Sequence, residues 1–178
     1  MFRLAAQVSA DIGIEPPPDI GAVTNGGFEG LKAKPSDPFD WRIADGDRPQ
    51  IGLTDFAHSG ASSLRFLFDS TRGNDFRGVE QTIAVEPGKN YQLNFFYRAE
   101  LRATSTMHVE MADAANGKEL GRSASFALNA DWTNLTVPFT AATDSDGVVV
   151  RFVRDTCTSA ICPINGKVWL DDFTLESK

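Results

Sequence analysis

Short runs in which apolar and polar residues alternate are the feature that most constrains how this chain folds. In the run 91–98 the odd positions are apolar or aromatic, namely Tyr91, Leu93, Phe95 and Tyr97. Successive side chains of a β-strand point to opposite faces, so this run predicts a strand whose odd positions lie in a core. The same reasoning places Gln92, Asn94, Phe96 and Arg98 on the outer face of that strand.

Seven further segments have strand-like patterns, and turn signals such as Pro87-Gly88 and Asn116-Gly117 separate several of them. The full set is Ser62–Phe68, Val79–Val85, Tyr91–Arg98, Thr104–Met111, Ser123–Leu128, Trp132–Thr140, Val148–Arg154 and Lys167–Leu175. Many are spaced by about 10–15 residues, and no convincing helix follows residue 20. The sequence therefore predicts an all-β fold, a two-sheet antiparallel β-sandwich of the jelly-roll type. Segments 35–41 and 69–78 are predicted to be long surface loops.

Residues 1–20 differ from the rest of the chain. Four apolar residues fall at helical spacing, namely Leu4, Ala5, Val8 and Ile12. They predict a short amphipathic helix, and the three consecutive prolines that follow predict a stiff, extended linker. This segment is either a frayed terminus or the tail of a preceding region of a longer protein. Residues 21–178 are predicted to form one domain, which suits a chain of 178 residues.

The charge balance excludes two classes of partner. The chain has 17 Lys and Arg against 24 Asp and Glu, a net charge of −7. Nucleic-acid binding needs a basic footprint, so we expect no nucleic-acid partner. No run of 18 apolar residues is present, and we expect no membrane insertion.

The two cysteines, Cys157 and Cys162, lie five positions apart. They predict a small disulfide-closed loop, the alternative being two free thiols. Two cysteines without a nearby histidine do not make a zinc site, which needs four ligands. A disulfide is typical of an oxidising compartment, so we expect a periplasmic, secreted or cell-surface protein.

The order of several motifs is familiar once the strands are placed. These motifs are the opening Asn25-Gly26-Gly27-Phe28-Glu29, Trp41, the His58-Ser59-Gly60 turn, Pro87-Gly88, Trp132 and the closing Leu170–Leu175. Their succession resembles the carbohydrate-binding modules of the galactose-binding-like jelly-roll superfamily, closest to families 4, 9 and 22. The resemblance covers about residues 21–177 and implies a β-sandwich whose first and last strands lie close together.

The resemblance also implies a structural calcium ion near those strands. Carried over to this chain, the side-chain ligands are Glu29 and Asp171, and Ser59 is a weaker carbonyl candidate. Calcium takes hard oxygen ligands of both kinds. One point argues against this role: Asp171 has the same strand parity as Phe173 and Leu175, which we expect in the core. Solvated acidic residues at strand ends are the alternative.

Sugar recognition requires aromatic faces and planar polar groups, which alternation places on an outer sheet face. The candidates are Phe96, Arg98, His108, Glu110 and Arg151, which we expect to share one face. The two arginines would also suit acidic sugars. A competing surface consists of the loop aromatics Phe39, Trp41 and Phe76. The three tryptophans are expected to be structural, with Trp41 in the core.

Catalysis is not expected. A Ser-His-Asp arrangement has only His58 and His108 to choose from, and neither a G-x-S-x-G elbow nor a P-loop is present. Acidic residues are numerous, but no spacing singles out a pair for glycoside cleavage. The leading hypothesis is a non-catalytic, calcium-stabilised module that binds a polysaccharide or oligosaccharide and adjoins another domain of a larger extracytoplasmic protein. The alternative is a structural or protein-interaction β-sandwich without sugar binding.

Overall fold

The computed structural model describes residues 18–30, 39–70, 76–103, 105–157 and 162–178. These residues form ten β-strands: β1 Arg42–Ile43, β2 Gln50–Thr54, β3 Ser63–Ser70, β4 Val79–Ala84, β5 Asn90–Ala103, β6 Met107–Asp113, β7 Glu119–Arg122, β8 Asn129–Thr140, β9 Gly147–Arg154 and β10 Ile164–Ser177. No helix occurs within these ranges, and so none that could span a membrane. The helix predicted near the N-terminus lies in residues 1–17, outside the described ranges.

The strands form two antiparallel sheets of five strands each. Sheet A has the order β1-β4-β9-β6-β7, and sheet B has the order β2-β3-β10-β5-β8. Sequence neighbours mostly lie apart within a sheet, so the chain crosses between the sheets repeatedly, as in a jelly roll. The predicted fold class is confirmed.

The core lies between the two sheets and is built from the alternating residues of each strand. The predicted inner positions of β5, at 91, 93, 95 and 97, are all buried. In sheet A, Val150 and Phe152 of β9 are buried as predicted. Around Phe173 of β10, the rings of Phe28, Trp41, Phe95 and Phe152 pack within 6 Å. Much of the high phenylalanine content is therefore core.

One predicted strand is wrong, since residues 123–128 form no strand. The segment still follows β6: Ser123 N–H donates to Val109 O at 2.8 Å, and Phe126 N–H donates to Met107 O at 2.8 Å. These isolated bonds do not amount to a ladder. On this side of β6 the paired strand is the earlier β7, reached through the predicted Asn116-Gly117 turn, and the pairing contains a bulge at Met111–Ala112.

A β-bulge in β10 explains which face of the sheet Asp171 occupies. Asp171 pairs with Phe96 of β5, but the next pair is Thr174 with Asn94, so β10 carries one extra residue. Asp172 takes a positive φ of 52° at that point. The bulge lets Asp171 lie on the outer side of the sheet while Phe173 enters the core. The expectation that both share one face, based on simple alternation, is wrong for this reason.

The predicted disulfide between Cys157 and Cys162 is confirmed, with Cα atoms 6.1 Å apart. It follows β9 and precedes β10. Arg154 at the end of β9 donates to the carbonyl oxygen of Cys162 at 3.1 Å. The small loop is therefore tied to the edge of the sandwich.

Candidate functional site

Two acidic side chains bind the turn that precedes β3. Glu29 binds it from the first loop of the domain, and Asp171 binds it from strand β10. Glu29 Oε1 accepts backbone N–H groups of Ala61 at 2.8 Å and Ser62 at 3.1 Å. Since Glu29 and its donors lie more than 30 residues apart in sequence, these bonds fasten two distant segments. Three segments meet here and are called the terminal clasp: residues 25–30, 58–62 and 171–173.

Asp171 is the buried acid of the terminal clasp, with no exposed surface. Its Oδ2 accepts backbone N–H groups of His58 at 2.8 Å and Ser59 at 3.2 Å, and its Oδ1 accepts the N–H of Asp172 at 2.8 Å. Burial raises the pKa of Asp171 above its usual value, and the Asp172 charge adds to this, while the three N–H donors oppose it. The donors supply a physical reason for a buried carboxylate at this position.

Asp172 binds the same turn through side chains. Its Oδ2 lies 2.5 Å from His58 Nδ1, and its Oδ1 accepts the Ser59 hydroxyl at 2.7 Å. Both members of the His58–Asp172 pair keep about a quarter to a third of their side-chain surface exposed. The adjacent carboxylates of β10 thus hold the His58-Ser59 turn by backbone and side-chain contacts together.

At two glycines of the terminal clasp, Gly26 and Gly60, neighbouring atoms come too close to the backbone to leave room for a Cβ. A Cβ at Gly26 would lie 2.1 Å from Phe173 O, and Gly26 O accepts the Phe173 N–H at 3.0 Å. A Cβ at Gly60 would lie 2.2 Å from Glu29 Oε1, and Gly60 has a φ of +65°. A side chain at Gly26 would push the opening loop away from β10, whereas at Gly60 the obstacle is the end of the Glu29 side chain and the positive φ is what disfavours other residues.

The predicted calcium ligands Glu29 and Asp171 lie in this one cluster, with Ser59 beside them. A Cβ at Gly27 would lie 3.7 Å from Asp172 Oδ1 and 3.8 Å from Asp171 Oδ1, so carboxylate oxygens face the space beside this glycine. Oxygen donors and concentrated negative charge fit calcium in ligand type. As arranged, however, the described ranges hold no group of three or more His, Cys, Asp or Glu that could bind a metal ion. Calcium therefore stays a prediction.

A row of alternating charges crosses the outer face of sheet A. Residues that pair directly across its five strands are Arg42, Glu80, Arg151, Glu110 and Arg122, in the order β1-β4-β9-β6-β7. Opposite charges face each other at every step of the row, which is favourable. Arg151 forms a charge-assisted pair with Glu110, whose side chain is only 8% exposed. The row presents guanidinium and carboxylate groups side by side at the surface.

Two adjoining clefts lie along this face, which we call the sheet A groove. The first is about 770 Å³ and is lined by Arg42, Glu80 and Arg151, among others. The second is about 650 Å³ and is lined by residues that include Glu110 and Arg122. Val153 and Arg154 of β9 line both clefts, so the two lie side by side. The groove is open and crosses every strand of the sheet.

His108 lies at the floor of the second cleft and is held by an acid. Its Nδ1 is 2.6 Å from Asp155 Oδ1, while its Nε2 has no hydrogen-bond partner and is 4.0 Å from Glu110 Oε2. Burial alone would raise the pKa of Asp155, but hydrogen bonds from His108, Ser125 and Thr106 outweigh it and lower the pKa. The imidazole is therefore fixed in orientation by a charged partner.

The expectation that the five predicted sugar ligands share one face is wrong. His108, Glu110 and Arg151 belong to β6 and β9 of sheet A, whereas Phe96 and Arg98 belong to β5 of sheet B. Their outer faces lie on opposite sides of the sandwich. Alternation identifies outward positions correctly, but it carries no information on which sheet a strand joins.

The outer face of sheet B carries an aromatic surface that sequence reasoning missed. Phe56 is 40% exposed and lies nearly parallel to Trp132, with ring centroids 6.0 Å apart. The ring of Trp169 lies 5.5 Å from Phe56. Phe96 is covered on one side by His58, at 3.7 Å between rings. Trp169 is only 7% exposed, which agrees with its predicted structural role, but no sequence signal indicates that loop residue Phe56 reaches Trp132 and Trp169.

The competing loop surface does not form as predicted. Trp41 is fully buried and belongs to the core, as expected. Phe76 packs on Phe66 and Phe68 with ring centroids 6.4 Å away in both cases. It forms part of the wall of the sheet A groove but offers no separate platform.

Comparisons with known proteins agree on the family and the fold. Residues 21–158 match the family model described as "Carbohydrate binding domain" (CBM_4_9). A search of curated proteins found no match.

Solved structures of the same fold include both binding modules and enzymes. A structure described as "CBM4 structure and function" shares 18% identity and has a TM-score of 0.62, covering 88% of this chain and all of that one. The module TmCBM61, solved with β-1,4-galactotriose, shares 17% identity at a TM-score of 0.62, covering 90% of this chain and all of that one. A cyclase from Fischerella sp. TAU also has a TM-score of 0.62, with 17% identity over 88% of this chain and 96% of that one. At such identities the likeness shows the fold alone.

Proposed function

Since the chain belongs to the carbohydrate binding domain family, we propose that it is a non-catalytic module that binds a saccharide chain in the sheet A groove. The observation that carries this proposal is that two adjoining clefts together take their lining residues from all five strands of the sheet. An open groove accommodates the interior of a polymer, whereas an enclosed pocket would accept only a chain end. Recognition sites of this kind combine apolar contact with a few placed polar groups.

The groove offers the chemistry that sugar hydroxyls require. Guanidinium groups of Arg42 and Arg151 donate, and the carboxylates of Glu80 and Glu110 accept. Ile43 adds apolar surface for the C–H faces of a sugar ring. The alternating row nearly balances its charge, which suits a neutral saccharide.

Binding rather than catalysis is proposed because two acids of the groove are already engaged by other side chains. Glu110 is paired with Arg151, and Asp155 is paired with His108. Despite burial, hydrogen bonds lower the pKa of Asp155, whereas a general acid for glycoside cleavage needs a raised pKa.

The binding test uses soluble polysaccharides of different backbones, including β-glucan, xylan, galactan and mannan, in affinity gel electrophoresis. Arg42→Ala should weaken binding of the recognised polymer by about threefold to tenfold, since a lost hydrogen bond to a charged donor is worth about 1 kcal/mol at an exposed site. Arg42 has no ion-pair or hydrogen-bond partner among the described residues, so its removal costs the fold only its cross-strand position opposite Glu80. Lys89→Ala, in the turn before β5, is the matched control. Absence of binding to every polymer would overturn the proposal.

We further propose that a calcium ion occupies the terminal clasp, with Glu29 and Asp171 as side-chain ligands and Ser59 as a carbonyl ligand. The support is the convergence of Asp171 and Asp172 oxygens beside Gly27, with the Glu29 side chain next to the same space, and the cost of burying Asp171 as an ion. A bound divalent cation would offset that cost and join the two ends of the domain.

Melting curves with calcium and with chelator test this proposal. Calcium at a hundredfold excess over Kd should stabilise the fold by about 2.7 kcal/mol, or roughly 5–10 °C. Gly27→Ala should melt like the original protein in chelator, because the new Cβ makes only ordinary contacts. It should lose much of the calcium response by filling the space beside the carboxylates. Identical melts with and without calcium would mean that hydrogen bonds alone close the clasp.

The location proposed for the protein is extracytoplasmic, as part of a larger polypeptide. The support is the disulfide between Cys157 and Cys162, which persists where thiols are not kept reduced. Thiol titration of protein purified from the native host under denaturing, non-reducing conditions should find no free thiol. Two titratable thiols would contradict this location.

A further inference from the structure

We propose that the outer face of sheet B is a second binding surface, and that its occupant is a carboxylate-bearing saccharide, a chain of uronic-acid residues. The site is centred on the aromatic surface of Phe56, Trp132 and Trp169. It is separate from the sheet A groove, which lies on the opposite side of the sandwich.

Cationic side chains surround these rings. The Arg98 guanidinium lies 4.7 Å from the centroid of Phe56 and 5.6 Å from that of Trp169, and Lys167 Nζ lies 5.8 Å from Trp169. Arg65 and Arg98 are the direct cross-strand neighbours of Trp169 on β3 and β5. Trp169 is thus flanked by positive charge on three sides, in a protein whose net charge is −7.

These charges are only partly neutralised within the protein. Glu100 pairs with Arg98 at 2.9 Å and lies opposite Lys167 in the ladder between β5 and β10. Among the described residues, Arg65 and Lys167 form no ion pair. Arg98 Nε is shielded from solvent and has no hydrogen-bond partner. An anionic ligand would neutralise the positive charge that remains on this face.

The exposed ring is held in place rather than loose. The carbonyl oxygen of Phe56 accepts the hydroxyl of Ser63, a residue with no exposed surface, at 2.6 Å. Trp132 and the Arg98 guanidinium support the ring of Phe56. A ring fixed in this way loses little conformational freedom on binding, which favours a ligand surface.

A uronic-acid residue has groups that fit both the aromatic rings and the cationic side chains of this surface. The C–H faces of a sugar ring pack on exposed aromatic edges, while carboxylates pair with arginine and lysine. A neutral saccharide would use the rings only. A phosphate polymer would need a longer basic footprint than three side chains supply.

Affinity electrophoresis against polygalacturonate and its methyl-esterified form tests the proposal. We expect retardation by polygalacturonate that decreases with added sodium chloride and is about tenfold weaker with the methyl ester. Lys167→Gln and Arg65→Gln should each weaken binding about threefold with unchanged melting temperatures. Phe56→Ala should weaken binding about fivefold, and its melting temperature should fall slightly because the contacts with Trp132 and Arg98 are lost. Lys89→Ala, in the turn before β5, is the control and should bind as the original protein does.

Three outcomes would overturn the proposal. Equal affinity for the methyl ester would remove the role of the carboxylates. Equal affinity for dextran sulfate or single-stranded DNA would reduce the site to charge attraction. Loss of polygalacturonate binding in Arg42→Ala, with Phe56→Ala unaffected, would move the anion site to the sheet A groove. None of these outcomes depends on whether neutral polysaccharides bind that groove.

Discussion

Adjacent glycines of the opening motif should respond very differently to the same substitution. A Cβ at Gly26 would lie 2.1 Å from Phe173 O and 3.1 Å from its carbonyl carbon, whereas the nearest atom to a Cβ at Gly27 is 3.7 Å away. The obstacle at Gly26 is backbone in the middle of β10, which cannot rotate aside as a flexible side chain would. Gly26→Ala must therefore displace the loop from β10.

The cost of Gly26→Ala has two parts. Forcing a methyl group into a packed site costs about 1–3 kcal/mol. Displacement also breaks the bond from Phe173 N–H to Gly26 O, worth about 0.5–1.5 kcal/mol. Together these give about 2–4 kcal/mol, or a melting temperature lowered by roughly 10 °C for a chain of this size. Gly27→Ala should change the free energy of unfolding by less than about 0.5 kcal/mol.

Urea unfolding of the three proteins, followed by tryptophan fluorescence in chelator, measures this contrast directly. Chelator removes any contribution of calcium from the comparison. Trp41 Nε1 donates to Asn25 O at 3.1 Å, so its emission should report displacement of the loop. Equal stabilities of the two alanine variants would refute the argument that backbone contact at residue 26 closes the clasp.

Two further measurements concern other parts of the fold. Replacing Cys157 and Cys162 by serine should lower the free energy of unfolding by about 2 kcal/mol under the chain-entropy model, and reduction of the original protein should have the same effect in a thermal melt. Hydrogen bonds from Ser145 and from the Ala115 N–H lower the pKa of Asp113. Because a lowered carboxyl pKa stabilises the fold only above that pKa, Asp113→Asn should be destabilising at neutral pH. Its deficit should shrink as pH falls through the carboxyl range in urea titrations, and a deficit independent of pH would contradict the role of its charge.

Alternation was sufficient to predict the sandwich, because burial on one face imposes a period of two on a strand. β5 is the clearest case: its odd positions are buried and its register with β10 is regular along most of its length. Strands β1, β2 and β7 were not predicted. Arg42–Ile43 and Glu119–Arg122 are too short for a pattern, and Gln50–Thr54 contains none that is clear. The intrinsic strand preference of such segments is weak, so their conformation is determined by pairing with a neighbouring strand.

The functional surfaces were harder to predict, because they depend on which strands become neighbours. The row from Arg42 to Arg122 is drawn from five strands that are scattered along the sequence. Phe56 lies outside any strand, and its contact with Trp132 follows from the fold alone. The bulge at Asp172 had no sequence signal either, and it reversed the expected relation between Asp171 and Phe173.

The terminal clasp also determines how the domain would carry mechanical load. Tension applied at the two ends of the domain would reach β10 through the contact of Gly26 with Phe173 and the bonds around Asp171, instead of passing through the strands in between. Several of these bonds would bear the load together, because the two acids and the backbone contact lie within a few residues of each other in β10 and the opening loop. The sheet A groove lies outside this short path and would keep its shape while the ends are pulled. A module tethered to a moving neighbour could thus hold its ligand under strain.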